Sequence, residues 1–164
     1  MGIVADIGQS WLHPRQVMAR LLADGQREDR VLMFLMVACL LVFISRLPAL
    51  ALAAQLDPTM PLNLRLVGAL FGWLFIVPPA FYVIAALSRI VARIAGGRGS
   101  WYSARLALFW SLLAATPFWI LNGFAAGYGG AGLAQQVIGA FALVLFIIIW
   151  ASSFYQAEYG QVEK

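Results

Sequence analysis

Apolar residues of this chain fall into four long runs, separated by short polar or glycine-rich segments. Each run is long enough to cross the ~30 Å hydrocarbon core of a bilayer, for which a helix needs about 20 residues. A glycine-rich turn at 127–132 divides the uncharged stretch between Leu106 and Ala157 into two of these runs. The pattern predicts four transmembrane helices, at residues 31–54, 66–88, 103–125 and 134–157.

The segment before the first run has a different pattern. Apolar residues recur at helical spacing from Ile3 to Trp11, and His13-Pro14 then interrupts, because the residue before a proline avoids the α region. From Pro14 to Leu22 one face is apolar and the other basic, and Gly25 is expected to end the helix. This pattern is typical of a helix on the inner membrane surface; the alternative is packing on the protein's own loops. The residues of the predicted surface helix are Pro14, Arg15, Val17, Met18, Arg20, Leu21 and Leu22.

Composition agrees with a membrane location. Hydrophobic residues make up 63% of the chain and charged residues only 11%, whereas soluble domains have about 25% charged residues. This excludes a soluble enzyme, a disordered chain and a disulfide-stapled scaffold. We expect an all-α membrane protein with a cytoplasmic amphipathic segment at 1–30, a four-helix transmembrane domain at 31–157 and a cytoplasmic tail at 158–164.

The basic residues predict the orientation. All of them except Arg46 and Arg65 lie before the first run, between the second and third, at the very start of the third, or after the fourth. Positively charged loops stay in the cytoplasm, so both termini are expected there. Arg46 lies in the outer third of the first span, from which its side chain can snorkel to the far interface. The excess of Arg over Lys is typical of GC-rich bacterial genomes, so we expect the bacterial inner membrane.

Two features inside the predicted spans concern helix packing. Gly68 and Gly72 have the small-xxx-small spacing that lets helix backbones approach closely, either within the chain or between copies. Pro78, Pro79 and Pro117 are expected to kink their helices, because proline lacks a backbone N–H. Such breaks can build a binding site near the bilayer midplane, or they can shape packing against neighbouring helices.

Candidate chemistry is sparse. The carboxylates lie outside the predicted spans, His13 is the only histidine, and Cys39 is the only cysteine. No metal-ligand spacing or paired carboxylates occur, so we expect no catalytic residue, no metal and no cofactor. The net charge of +4 is explained by membrane orientation and does not predict nucleic-acid binding. The expected partners are the lipid bilayer, other integral membrane proteins and a second copy of the chain.

The opening Trp11-Leu12-His13-Pro14-Arg15, with Leu21-Leu22 and the basic linker GQREDR, runs into an uninterrupted helical membrane domain. Together with the prolines of the second and third spans, this resembles bacterial members of the Yip family, the Ypt/Rab-interacting membrane proteins. Members of that family commonly have five spans, and this chain has four plus the amphipathic helix. The resemblance implies a helical membrane fold; its eukaryotic relatives are implied to act in vesicle traffic with small GTPases.

The leading functional hypothesis is a non-enzymatic membrane protein that organises or scaffolds other membrane components, as the Yip resemblance implies. The first alternative is an accessory subunit of a respiratory, photosynthetic or transport complex. The second is a small oligomeric channel or transporter, with the proline breaks lining its path.

Overall fold

The computed structural model describes residues 2–129 and 132–160, which are helical almost throughout. A π-helical turn at Gly72–Ile76 joins the fourth and fifth helices into one rod. The helices are α1 Ile3–Leu12, α2 Pro14–Ala23, α3 Glu28–Leu56, α4 Leu62–Phe71, α5 Val77–Ile94, α6 Trp101–Gly129 and α7 Leu133–Tyr159. Four segments are long and apolar enough to span a membrane: α3, the α4–α5 rod, α6 and α7. The chain is therefore an all-α multi-pass membrane protein, as predicted.

The helices extend beyond the apolar runs that predicted them. α3 runs from Glu28 through Pro48 to Leu56, whereas the sequence predicted a span at 31–54. α6 reaches Gly129, so it takes in the first half of the predicted 127–132 turn; residues 130 and 131 lie outside the described part. The end of α2 agrees with the sequence, since Gly25 follows it with φ +87°.

Helix α6 is the centre of the bundle. The buried share of the most apolar stretch is 67% for α6. The same share is 39% for α3, 17% for α7 and 11% for the α4–α5 rod. α6 packs along α3 on one side and along α7 on the other, and α5 meets mainly α6. The rod and α7 therefore present most of their apolar surface outward.

Two glycines of α6 allow the closest helix contact. A Cβ atom at Gly123 would overlap the carbonyl of Ser45, and one at Gly127 would overlap Pro48, both on α3. This is the small-xxx-small packing that the sequence analysis assigned to Gly68 and Gly72. At Gly68 and Gly72 an added Cβ would meet nothing within 4 Å, so that assignment is wrong for contacts within the chain.

The prolines are accommodated in two ways. Ahead of Pro78 and Pro79, the N–H of Val77 bonds to the carbonyl of Gly72, which widens the helix into the π turn. Both prolines then fall in the first turn of α5, where a missing N–H costs little. At Pro117, α6 continues unbroken, and the hydroxyl of Thr116 donates at 2.7 Å to the Leu113 carbonyl that the proline cannot serve.

Helices α1 and α2 form a hairpin against the bundle. Val17, Met18 and Leu21 are buried with exposures of 1%, 0% and 7%, and α2 packs on α7. The apolar face of α2 therefore does not lie on lipid, which corrects the expectation of a surface helix. The alternative expectation, that α2 packs on the protein itself, was closer to the structure. The contact is with spanning helices, however, and not with loops. Leu22 is half-buried against the same core.

Candidate functional site

The hairpin tip is anchored on α6 by two tryptophans. The Nε1–H of Trp11 donates to the backbone carbonyl of Ala114 at 2.8 Å. The Nε1–H of Trp110 donates to the hydroxyl of Ser10 at 2.9 Å. The Trp11 ring also meets the edge of Phe118, with centroids 5.0 Å apart. Each indole thus has a satisfied N–H; Trp110 is buried, whereas Trp11 remains 39% exposed.

These contacts give the depth of the hairpin. Ala114 lies about 20 Å along α6 from Trp101, at 1.5 Å per residue. The hydrocarbon core of a bilayer is about 30 Å thick, so the tip lies beside the middle of the spanning helices. The turn at the tip is itself exposed, since Leu12 is 80% exposed and His13 is exposed as well.

Two basic residues of the hairpin, Arg15 and Arg20, contact side chains of the same chain. Arg20 pairs with Asp6 at 3.0 Å, and the guanidinium of Arg15 lies 4.9 Å from the ring centre of Tyr155. Both arginines are exposed residues that also have a contact within the chain.

The ends of the hairpin and of α3 meet in a second ion pair. Arg30 at the start of α3 pairs with Asp24 at 2.8 Å, and its hydrogen bond lowers the pKa of Asp24 from 3.8. Arg105 of α6 pairs with Glu28 of α3. We call this side of the bundle the Arg-rich end; it also holds the end of α5 and the end of α7.

A buried carboxylate lies at the Arg-rich end. Glu158 is 0% exposed, and its Oε2 accepts hydrogen bonds from Arg89 Nη1 at 3.0 Å and from the Gly99 N–H at 3.0 Å. A Cβ atom at Gly97 or Gly99 would lie 2.6 or 2.7 Å from this carboxylate group. The same Cβ atoms would lie 2.9 Å from the Ala92 carbonyl and 2.8 Å from the Ala157 carbonyl. A larger residue at either position would therefore displace backbone, and the GGRGS loop packs closely on Glu158.

The same loop is held by its backbone. Gly96 has φ +84°, and the N–H of Gly97 bonds to the carbonyl of Ala92 at 2.8 Å, as in a Schellman ending of α5. The N–H of Arg98 bonds to the carbonyl of Glu158 at 3.0 Å. The loop therefore ties α5 to α7, two helices that otherwise diverge.

Sequence analysis missed the role of Glu158, which it placed in a polar tail. Glu158 belongs to α7 and is buried; residues 161–164 of that tail lie outside the described part. Two features of the sequence could have indicated this role. Glu158 is the first acidic residue after a long uncharged run, and a glycine-rich basic loop lies at the same end of the bundle.

A cavity of about 230 Å³ lies among all four spanning segments, toward the end opposite the Arg-rich end. Its wall includes Arg46, Asn122 and Trp119. Within residues 2–129 and 132–160, Arg46 has no carboxylate within 4.0 Å, and Trp119 Nε1 and Asn122 Oδ1 are buried without a hydrogen-bond partner. The space itself is almost wholly apolar, and Arg46 is an exposed residue. Trp73 and Val77, from the π turn and the start of α5, also line it.

A second, larger space is an open groove of about 560 Å³ between α5 and α7, lined by Leu87, Val91, Ile147 and Phe154 among others. It is almost wholly apolar and faces outward. Together with the exposed rod, it leaves a broad apolar surface on one side of the bundle.

Within residues 2–129 and 132–160, no three His, Cys, Asp or Glu side chains come together in a group that could hold a metal ion. His13 lies at the hairpin tip beside Arg15, Gln16 and Ser152. Comparison with known proteins gives no match to a family model, to a curated protein or to a solved structure.

Proposed function

We propose that this chain is a non-enzymatic membrane protein that organises other membrane components through the helix faces it leaves exposed, in a Yip-like arrangement. The observation that carries the proposal is the exposure of the α4–α5 rod, of whose most apolar stretch only 11% is buried. A helix so weakly covered by its own chain meets either lipid or another protein along most of its length.

The exposed rod is suited to a partner helix. Gly68 and Gly72 lie on α4 and at its end, with open space where a Cβ would point. In lipid, helices associate by close packing at small residues, since there is no hydrophobic driving force between them. A second copy or another integral protein can approach the backbone there without displacing any part of this chain.

The accompanying localisation is a bacterial inner membrane with both termini in the cytoplasm. Arg30, Arg89 and Arg105 support it, because they lie at one end of the bundle, where ion pairs hold the loops. Positively charged loops favour the cytoplasmic side.

The channel alternative is less consistent with the packing. The stretch of α6 from Leu106 to Thr116 is buried throughout, so the centre of the bundle is filled by side chains. An oligomeric channel would therefore need its path between copies of the chain and not through the centre of one bundle. The accessory-subunit alternative differs from the scaffold only in the identity of its partner, and the same experiment separates the two.

The experiment is native extraction of the tagged protein, followed by mass determination of the intact particle. We expect a particle containing a second copy or another integral protein, lost when Gly68→Leu and Gly72→Leu are combined. Ala140→Leu, on an exposed position of α7, is the matched control and should leave the particle intact. A single stoichiometric larger protein would identify an accessory subunit. A particle of one chain and lipid, the same in every variant, would refute the proposal.

A further inference from the structure

An open polar cleft lies between the hairpin tip and α7. Its lining is more polar than apolar, and the residues that form it are Leu12, His13, Pro14, Arg15 and Gln16 of the hairpin and Ser152 of α7. Among these described residues there is a cation and no carboxylate. None of them belongs to the α4–α5 rod, so the occupant of the cleft is a separate question from the partner contacts proposed above.

The cation of the cleft is held in place by α7. The guanidinium of Arg15 lies 4.9 Å from the centre of the Tyr155 ring, a cation–π contact that positions the charge without supplying a counter-ion. In the part of the chain that the structure describes, no carboxylate lies within 4.0 Å of Arg15. Asp6 of the same hairpin pairs with Arg20 instead. Arg15 is exposed, so its N–H groups can receive an anion from outside the chain.

Other side chains of the lining add hydrogen-bond donors. His13 brings an imidazole N–H, Gln16 an amide group and Ser152 a hydroxyl, and both His13 and Gln16 are exposed. Arginine binds phosphate oxygens through paired N–H groups. A phosphate at Arg15 would therefore find further donors in the same lining. The ammonium group of a zwitterionic headgroup would find no carboxylate there.

The depth of the cleft matches the level of lipid headgroups. Tyr155 and Ser152 precede Tyr159, the last residue of α7, by four and seven positions, which is about 6–10 Å at 1.5 Å per residue. The headgroup region is about 5–7 Å thick on each side of a bilayer. The cleft thus lies where this region meets the hydrocarbon, a depth from which an arginine side chain reaches phosphates by snorkelling.

The surface beyond the cleft, away from the Arg-rich end, is apolar. Ile148 and Val144 precede Ser152 by one and two helical turns, on the same side of α7, and are 53% and 54% exposed. Leu12 at the hairpin tip is 80% exposed. An oxyanion site near the end of a helix, followed by hydrocarbon surface further in, matches the chemistry of a phospholipid. A free phosphate or a soluble acidic peptide has no hydrocarbon part to place there.

We propose that this cleft binds an anionic phospholipid from the leaflet at the Arg-rich end, with its phosphate on Arg15. His13 and Ser152 supply further donors to the phosphate oxygens. An acyl chain runs along Leu12 and Ile148 and covers the exposed turn at the hairpin tip.

The affinity test uses the full chain in a mild detergent and native mass spectrometry. Phosphatidylglycerol and phosphatidylcholine with identical acyl chains are titrated separately. We expect phosphatidylglycerol to bind more tightly, and Arg15→Gln to weaken its binding at least about tenfold, the usual loss when a hydrogen bond to a charged group is removed. Arg93→Gln removes an exposed arginine of α5 with the same change in net charge, and should leave binding unchanged. Equal affinities of the two lipids, or equal losses in the two variants, would overturn the proposal.

The position of the lipid is tested on the unaltered protein, so the answer does not depend on whether Arg15→Gln folds. Phosphatidylglycerol with a diazirine next to its phosphate is photolysed with the protein in nanodiscs, and the labelled peptides are identified. We expect adducts at the hairpin tip and around Ser152, suppressed by unlabelled phosphatidylglycerol and not by phosphatidylcholine. Adducts spread equally over the α4–α5 rod would refute a defined site. Labelling of the tip in nanodiscs but not in native membranes would show that a protein covers the cleft there, and would overturn the assignment of a lipid.

Discussion

Removing only one member of the buried pair at the Arg-rich end should destabilise the protein more than removing both. Arg89→Leu leaves the Glu158 carboxylate, which is 0% exposed, with only the Gly99 N–H as a partner. Breaking a buried pair in this way costs about 3–5 kcal/mol, because the remaining charge is neither solvated nor neutralised. Combining Arg89→Leu with Glu158→Leu removes both charges and leaves one unpaired N–H, which costs about 1–3 kcal/mol. We therefore expect the double variant to be more stable than Arg89→Leu by about 2 kcal/mol.

The stability of each variant can be measured through the accessibility of a natural cysteine. Cys39 is the only cysteine of the chain and is fully buried in α3, so a thiol-reactive dye labels it only after the bundle opens. Labelling during a temperature ramp in detergent reports the stability of each variant. Arg93→Leu, at an exposed arginine one turn further along α5, is the control and should behave as the unaltered protein. A double variant that unfolds at or below the temperature of Arg89→Leu would show that the charges are not coupled and that the reasoning is wrong.

Three further outcomes can be measured with the same material. Trp11→Phe keeps a ring at the hairpin tip but removes the indole hydrogen bond, so it should lower stability by about 1 kcal/mol in the Cys39 assay. Gly123→Leu forces α6 away from α3 and should cost at least about 1–3 kcal/mol, whereas Gly68→Leu should leave the stability of the isolated chain unchanged; equal effects would contradict the assigned packing. Because Arg30 lowers the folded-state pKa of Asp24 below 3.8, their pairing stabilises the chain above that pH, and the stabilisation is lost as the pH falls through the lowered pKa. Arg30→Gln should return this pKa toward 3.8, as an NMR titration of the carboxylate would show.

The spans were predictable because they depend on one local property. A run of about 20 apolar residues can satisfy its backbone in a bilayer only as a helix, so length and charge alone located all four. Their bounds were less predictable, since a helix continues into polar residues whenever a cap or a neighbouring helix supports it. α3 passes Pro48 in this way, with Gly127 of α6 packed against the proline.

The packing faces were not predictable from spacing. Gly68 and Gly72 have the same separation as Gly123 and Gly127, and only the tertiary arrangement decides which pair meets another helix of the chain. The apolar face of α2 is a similar case. Val17, Met18 and Leu21 have the period of a helix with one buried side, and this period is the same whether lipid or protein covers that side.

The cavity and the carboxylate at the Arg-rich end depend on contacts between distant segments. Arg46 stood out in the sequence as a cation inside an apolar run, but its neighbours on three other segments had no sequence signal linking them to it. Glu158 and Arg89 are separated by 69 positions, and nothing local to either residue indicates the other.

The sequence separation of the hairpin contacts has a consequence for how the protein is made. Trp11 finds its acceptor 103 residues later in the chain, and Ser10 finds its donor 100 residues later. At a synthesis rate of about 5–20 residues per second, the hairpin waits roughly 5–20 s for α6 to leave the ribosome. Throughout that interval its apolar face has no protein surface to cover it. Helices α1 and α2 are thus made well before the surface on which they dock, and translation that stops before α6 would leave them undocked.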